Sequence, residues 1–167
     1  MSNTHASKYT IVGFLEHTKT NQSFSENDWP LHVTLLDPFK TTWKLQELCK
    51  EIQYLAMATT HFQLKPIKRS FLGPNKDVPV TLLELDENMY RHHADLLALG
   101  RRGAFVYNTP EFVGDGFVPH ITDTADKQAG LDENYMLETI SIVNTIPNGD
   151  LSRREIMATF DLVAKMK

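Results

Sequence analysis

The stretch "PLHVTLLDPF", residues 30–39, places a histidine and a threonine two positions apart inside an apolar run. In a β-strand, residues i and i+2 point to the same face. His32 and Thr34 therefore share one face, while Val33 and Leu35 share the other. The pattern predicts a strand that buries one side and presents an imidazole and a hydroxyl on the other.

A second stretch, "FVPHITDT" at 117–124, repeats this arrangement. His120 and Thr122 share a face, and Ile121 lies opposite. A third His-x-Ser match occurs at 5–7, so the short motif alone is not informative. The context separates the first two matches from chance. Both lie in apolar strands, each has a proline one or two residues before the histidine, and they fall in opposite halves of the chain.

The rest of the chain predicts two helices among seven strands, in the order β-β-α-β-β-α-β-β-β. One helix over 41–58 takes Thr41 or Thr42 as its N-cap, and a second over 87–100 takes Gly100 as its C-cap. Two helices cannot cover both faces of a parallel sheet, so the pattern favours an α+β fold of antiparallel sheets with outer helices. The strands are predicted at 8–16, 29–39, 61–73, 80–86, 117–124, 134–146 and 154–166, with an irregularity at Pro66.

Composition bounds the class of protein. The chain has 167 residues, 41% of them hydrophobic, and a net charge of −4, which indicates one globular domain over 1–167 and argues against a protein that coats long nucleic acid. Apolar runs are too short to span a bilayer, and no secretion signal is visible. The single cysteine, Cys49, forms no intrachain disulfide and favours a reducing, cytoplasmic compartment. Its helical spacing favours a small buried residue over a nucleophile.

The two stretches "PLHVTLLDPF" and "FVPHIT" resemble the paired H-x-T/S signatures of the two-histidine (2H) phosphoesterase superfamily. That family includes RNA 2′,3′-cyclic phosphodiesterases and 2′-5′ RNA ligases, and the resemblance in element order runs over nearly the whole chain. It implies a bilobal molecule, with two antiparallel sheets and outer helices around a central cleft and one motif from each lobe. Asp123 departs from the pattern, since members often carry an apolar residue after the motif.

The chemistry of the residues agrees with this resemblance. Cleavage of a phosphodiester needs one group that accepts a proton and another that donates one, and histidine, with a pKa near ~6.5, can do either. His32 and His120 are the predicted acid–base pair, and the order of their roles stays open. Thr34 and Thr122 are predicted to donate hydrogen bonds to the phosphate oxygens. We expect neither a metal nor a cofactor.

The expected substrate is a 2′,3′-cyclic phosphate or a 2′-5′ linkage in an RNA end or small nucleotide. The expected protein is a monomer with no obligate protein partner and no membrane association. The alternative function is a catalytically idle nucleotide- or RNA-binding module of the same fold. The alternative for the motifs themselves is that His32 and His120 are buried histidines whose nitrogens are satisfied by the backbone.

Other residues are weaker candidates. His92 and His93 are adjacent on a helix and so cannot easily share an ion, and we expect them on a solvated face. Five basic residues could bind a substrate phosphate, although most such side chains are solvated: Lys65, Lys68, Arg69, Arg101 and Arg102. Four aromatic residues flank the motifs and could stack on a base, with core packing as the alternative: Trp29, Phe39, Trp43 and Phe117.

Overall fold

The computed structural model describes residues 7–124 and 126–164. The predicted domain limits 1 and 167, and His5 of the third motif match, lie outside these residues. The described part has two α-helices, α1 (Leu45–Met57) and α2 (Glu87–Arg102). Its strands are β1 (Tyr9–Phe14), β2 (Ser23–Ser25), β3 (His32–Lys40), β4 (Phe62–Leu64), β5 (Pro66–Leu72), β6 (Val78–Leu83), β7 (Val106–Tyr107), β8 (His120–Thr122), β9 (Tyr135–Leu137), β10 (Thr139–Asn144) and β11 (Arg153–Asp161).

Nine of these strands form one sheet in the order β2-β11-β10-β1-β3-β8-β6-β5, with β7 paired to β3 outside this path. Strands β4 and β9 form a second, two-stranded sheet. The pairs within both sheets are antiparallel. The predicted α+β class, with antiparallel sheets and two helices, is confirmed.

The two motif strands are direct neighbours in the larger sheet. Val33 of β3 pairs with Ile121 of β8, and β8 pairs in turn with β6. The two parts of the larger sheet, β2-β11-β10-β1-β3 and β8-β6-β5, therefore meet at the β3–β8 junction. The motifs lie side by side at this junction, rather than one in each of two separate sheets.

The two faces of the larger sheet carry different apolar clusters. Val33 and Ile121 are fully buried in the larger cluster, which also contains Ile52 of α1 and Leu96 of α2. Burial of each such side chain contributes roughly 1.5–3 kcal/mol. A smaller cluster contains no helix residue and consists of Val12, Phe14, Phe24, Val143 and Ile156, with Trp29 packed against it. The helices thus cover one face of the motif strands and leave the other face open to the site.

Strand β3 continues through Pro38 to Lys40, one residue beyond the predicted end at Phe39. Proline lacks the N–H but keeps its carbonyl, which accepts a hydrogen bond from the Asn108 amide at 2.8 Å. Phe39 and Lys40 then pair with Tyr107 and Val106 of β7. Because the neighbouring chain segment at Asn108 uses only the carbonyl of Pro38, the missing N–H of the proline does not end the strand.

The helix boundaries also differ from those predicted. Helix α1 begins after Lys44 without a side-chain cap, and the Thr41 hydroxyl instead donates to the Gly103 carbonyl at 2.7 Å. Helix α2 ends at Arg102 with Gly103 as its C-cap, not Gly100. A Cβ at Gly100 would lie 2.5 Å from the Tyr107 hydroxyl oxygen. Gly100 therefore allows a close approach between α2 and β7, and it does not terminate the helix.

The irregularity predicted near Pro66 is present. The segment over 61–73 divides at Lys65 into β4 of the small sheet and β5 of the large one. Within the described part of the chain, no helix is long and apolar enough to span a bilayer.

Candidate active site

The strand register places the four motif side chains on one face of the sheet. Val33 and Ile121 are paired and point into the helix-covered core, so their neighbours on each strand point to the other face. The antiparallel register then sets His32 opposite Thr122 and Thr34 opposite His120. The two histidines are diagonal neighbours in this rectangle, a relation that corresponds to about 7–8 Å between Cα atoms. The four predicted site residues are therefore brought together.

The two histidine rings are held in the same way. Nδ1 of His32 lies 2.9 Å from the Pro30 carbonyl oxygen, and Nδ1 of His120 lies 2.8 Å from the Val118 carbonyl oxygen. A carbonyl oxygen only accepts, so Nδ1 carries the hydrogen in each ring. Each Nε2 is left as the nitrogen that can exchange a proton with a ligand. Among the described residues, neither ring has a backbone partner at both nitrogens. Backbone partners at both nitrogens would instead mark a purely structural histidine.

Aromatic side chains cover His32. Its ring stacks on Trp29 at a centroid distance of 4.3 Å and lies 6.0 Å from Phe14. The pKa of His32 is lowered from 6.5 to about 4, chiefly by burial and in smaller part by the nearby charge of His120, against the opposing effect of the hydrogen bond to the Pro30 carbonyl. Removal of water penalises the charged imidazolium. His32 is therefore neutral at neutral pH, with a free lone pair on Nε2.

His32, Thr34 and His120 line one open cavity of about 340 Å³, which we call the histidine cavity. Its other lining residues are Lys8, Thr10, Trp29, Asp37, Pro38, Asn108, Thr145, Ile146, Leu151 and Arg154. Thr122 lines a cavity of about 440 Å³ that also contains His32 and Trp29. His32 thus borders both spaces and shares one of them with Thr34 and the other with Thr122.

An apolar cavity of about 270 Å³ adjoins the histidine cavity, with Thr34, Asp37 and His120 common to both. Strands β5 and β6 and the loop before β8 form its walls. We call it the apolar cavity; its remaining residues are Leu72, Gly73, Val78, Val80, Phe112, Phe117 and Val118. The space around the histidines is therefore divided between a polar side and an apolar side.

Asp37 lies at the boundary between these two cavities. Its carboxylate accepts a hydrogen bond from the Thr109 hydroxyl. Burial raises the pKa of Asp37, while the Thr109 hydrogen bond and the charge of His120 act in the opposite direction. A carboxyl group close enough to interact with His120 can stabilise positive charge on that ring.

Comparisons with known proteins identify the fold. A crystal structure of a phosphoesterase matches with a TM-score of 0.62 at 12% identity, covering 95% of this chain and 99% of the other. Escherichia coli LigT in complex with 3′-AMP matches with a TM-score of 0.60 at 13% identity, covering 94% and 98%. A protein of Thermus thermophilus matches with a TM-score of 0.55 at 14% identity, covering 95% and 100%.

The chain has the LigT-like phosphoesterase fold. The predicted resemblance to the two-histidine phosphoesterases is thereby confirmed in the fold. In sequence, the chain is 33% identical over 94 residues to a Geobacillus sp. (strain WCH70) protein named "putative phosphoesterase"; the match covers 56% of this chain. It spans only half the length of that relative. No protein-family model matches the sequence.

Within the LigT-like fold, His92 and His93 are buried, at 2% and 3% exposure, so the expectation of a solvated face was wrong. Nδ1 of His93 donates to the Leu35 carbonyl at 2.8 Å, and Nε2 accepts from the Gly114 amide at 3.0 Å. His93 therefore ties α2 to β3 and to the loop before β8. Both nitrogens of His92 are buried without a hydrogen-bond partner in the described part of the structure.

The basic candidates from the sequence do not line the histidine cavity. Lys65 and Arg102 pair with Glu84 and Glu51, at 3.9 Å and 3.0 Å. Arg69 bonds to the Thr81 hydroxyl, which in turn donates to the Asp123 carboxylate at 2.9 Å. The hydrogen bond from Thr81 explains how a carboxylate can be buried at position 123. Asp123 belongs to a polar network on the side of β8 opposite to Thr122.

The aromatic candidates divide between the site and the core. Trp29 stacks on His32, and Phe117 lines the apolar cavity while it stacks on His93 at 3.9 Å. Phe39 is fully buried, and Trp43 packs edge-on against Phe105. Trp29 and Phe117 therefore contact the site or a residue packed beside it, whereas Phe39 and Trp43 belong to the core.

Sequence reasoning missed Asp37 and three other residues that make the histidine cavity polar, namely Lys8, Asn108 and Arg154. Lys8 and Asn108 are remote in sequence, yet Lys8 Nζ lies 3.2 Å from the Asn108 side-chain oxygen. The Arg154 guanidinium lies 5.9 Å over Trp29 and donates to the carbonyls of Thr145 and Leu151. No local pattern marks these residues, because three separate elements bring them together.

In the residues that the structure describes, no group of three or more His, Cys, Asp or Glu side chains could hold a metal ion. Cys49 is partly buried on α1, and burial raises the pKa of its thiol. A raised pKa disfavours the reactive thiolate, in agreement with the prediction that Cys49 is a packing residue.

Proposed function

We propose that this protein is a metal-independent phosphodiesterase that hydrolyses 2′,3′-cyclic phosphates or 2′-5′ linkages in RNA ends or small nucleotides. The observation that carries the proposal is the cross-strand rectangle of His32, Thr34, His120 and Thr122. Each histidine donates from Nδ1 to a backbone carbonyl, so its Nε2 is available for proton transfer. The LigT-like fold and the phosphoesterase relative support the same reaction class.

The proposed reaction begins with the phosphorus between the two Nε2 atoms. Neutral His32 accepts a proton from the attacking water, because its lowered pKa keeps the lone pair free. His120, protonated on both ring nitrogens and with the Asp37 carboxyl nearby, donates a proton from Nε2 to the leaving ribose oxygen. One P–O bond forms, one breaks, and each histidine ends with the protonation state that the other had.

The threonines have a separate task in this proposal. Thr34 and Thr122 project from the same face as the histidines, Thr34 beside His32 along β3 and Thr122 across from it on β8. Their hydroxyls can donate to the two non-bridging oxygens, where negative charge is held in the transition state. The acid, the base and the charge stabilisation thus all come from side chains.

The test is hydrolysis of a nucleoside 2′,3′-cyclic phosphate, beside 2′-5′ and 3′-5′ linked dinucleotides. Loss of one acid–base group costs about 10²–10⁴ in rate, so we expect His32→Ala and His120→Ala each to lower turnover by that factor. His61→Ala is a matched control, since His61 lies outside both motif strands and lines a different cavity. Near-normal turnover in either motif variant would remove that histidine from the mechanism.

The alternative is a catalytically idle nucleotide- or RNA-binding module. Such a module would bind the cyclic phosphate without converting it to product, and the histidine variants would change only the affinity for this ligand. The lowered pKa of His32 favours the enzyme, because a binding protein gains more from a charged imidazolium than from a neutral ring facing an anion.

A further inference from the structure

We infer that Lys8 and Asn108 form a subsite for a second phosphate of the substrate, distinct from the phosphate that reacts between the histidines. The inference rests on the proposed function and specifies its substrate class: a nucleotide that carries a further phosphate, not a nucleoside with the reactive phosphate alone. Both residues line the histidine cavity with His32, Thr34 and His120.

Lys8 is too far along the sheet to hold the reactive phosphate itself. Its neighbour Tyr9 pairs with Phe39, which lies five residues beyond Thr34 on β3. That interval corresponds to roughly 16 Å of extended strand. The lysine side chain shortens this separation by reaching into the cavity that it shares with Thr34. A cation at this position would contact a second phosphate of the substrate and not the phosphate that reacts between the histidines.

The pair presents only hydrogen-bond donors to a ligand. An ammonium group only donates, so the Asn108 atom 3.2 Å from Lys8 Nζ must be the amide oxygen. The Asn108 NH₂ group is therefore turned away from Lys8. The remaining ammonium hydrogens and this NH₂ group suit phosphate oxygens, which only accept. None of the ion pairs in the described part of the structure involves Lys8.

Both backbones are fixed, and the Lys8–Asn108 contact holds the two side chains together. The Lys8 carbonyl accepts from the Thr145 amide at 2.8 Å and from its hydroxyl at 3.1 Å. The Asn108 amide donates to the Pro38 carbonyl at 2.8 Å. Strand β3 and the segment after β10 thus hold the backbones of the pair in place, which lowers the entropic cost of binding an anion.

The apolar cavity sets the direction of the substrate. It adjoins His120 and Thr34 on the side formed by β5 and β6, whereas Lys8 precedes β1 on the other side of β3. At about 270 Å³ it is smaller than the ~300–1,000 Å³ of most ligand pockets, which suits one base. The base then lies against Phe112 and Phe117, the reactive phosphate at the histidines, and the second phosphate at Lys8.

The experiment compares two product-like ligands by calorimetry: adenosine 3′-monophosphate and adenosine 3′,5′-bisphosphate. One charge-assisted hydrogen-bond set contributes enough for about a tenfold change in affinity. We expect the wild-type protein to bind the bisphosphate about tenfold more tightly. Lys8→Gln and Asn108→Asp should each abolish this preference while the affinity for the monophosphate stays within about twofold, and Lys8→Arg should retain it.

Lys50→Gln is the matched control, because it makes the same charge change on the exposed surface of α1. It should preserve the preference at the same ionic strength. Equal affinity of the wild type for the two ligands, no binding of the bisphosphate, or equal losses for both ligands in Lys8→Gln would each overturn the subsite. Hydrolysis is measured separately, so a preference that persists without turnover of any cyclic phosphate would retain the subsite and refute the proposed reaction.

Discussion

Replacement of Trp29 by alanine should raise the pKa of His32. The indole stacks on the imidazole at 4.3 Å and excludes water from one face of the ring, and burial is the largest cause of the lowering from 6.5 to about 4. Phe14 remains near the ring at 6.0 Å, so the pKa should recover only in part. We expect a rise of about one pH unit, equivalent to roughly 1.4 kcal/mol between the two protonation states.

The sign of the effect on activity follows from the role of His32 as base. A base works when deprotonated, so kcat/KM should fall as the pH drops through the pKa of His32 in the free enzyme. The acid limb of the wild-type profile should lie near pH 4, and Trp29→Ala should move it towards neutral pH. Rates of hydrolysis of a nucleoside 2′,3′-cyclic phosphate between about pH 3.5 and 9 measure the limb, and NMR titration of the His32 ring assigns it.

Trp29→Phe is the control, since it keeps an aromatic ring over His32 and so should leave the limb close to the wild-type position. Trp29 also packs on Phe24 of the smaller cluster, so thermal unfolding of both variants is needed to show that the site is intact. A wild-type His32 that titrates near its ordinary pKa of about 6.5 would refute the reasoning, as would a Trp29→Ala protein whose folded state shows an unchanged limb.

Three further outcomes follow from the same structure. Thr34→Val and Thr122→Val should each lower kcat by about ten- to a hundredfold, because each removes one hydrogen bond of several to a charged oxygen, worth roughly 1.5–3 kcal/mol; a loss as large as that of His120→Ala would assign the hydroxyl a greater role. Activity should survive dialysis against EDTA, since the proposed acid and base are side chains; activity lost to EDTA and restored by a divalent ion would contradict the mechanism. Burial lowers the pKa of His92 from 6.5 to about 4 in the folded state. On acidification the unfolded state therefore protonates His92 at a higher pH than the folded state does. The contribution of His92 to the free energy of unfolding should fall between about pH 6.5 and pH 4, by on the order of 3 kcal/mol; urea titrations over this pH range should show a smaller fall in His92→Leu than in the wild type.

The sequence by itself determined the elements that carry the chemistry. Period-two alternation around His32 and His120 specifies which side chains share a face, because successive residues of a strand must point in opposite directions. It also indicated the α+β class, since two helices among many strands leave one face of an antiparallel sheet uncovered. These are local consequences of backbone geometry, and they hold wherever the strands come to lie.

The tertiary structure alone decided what surrounds those side chains. The His92–His93 pair was expected on a solvated helix face, yet α2 turns this face towards β3 and Phe62. Lys8 and Asn108 carry no recognisable signal, because they meet only where β1 and β7 approach β3. The pKa of His32 depends on an indole supplied by the chain before the strand. Desolvation and long-range contacts depend on which elements pack together, and sequence spacing does not encode that packing.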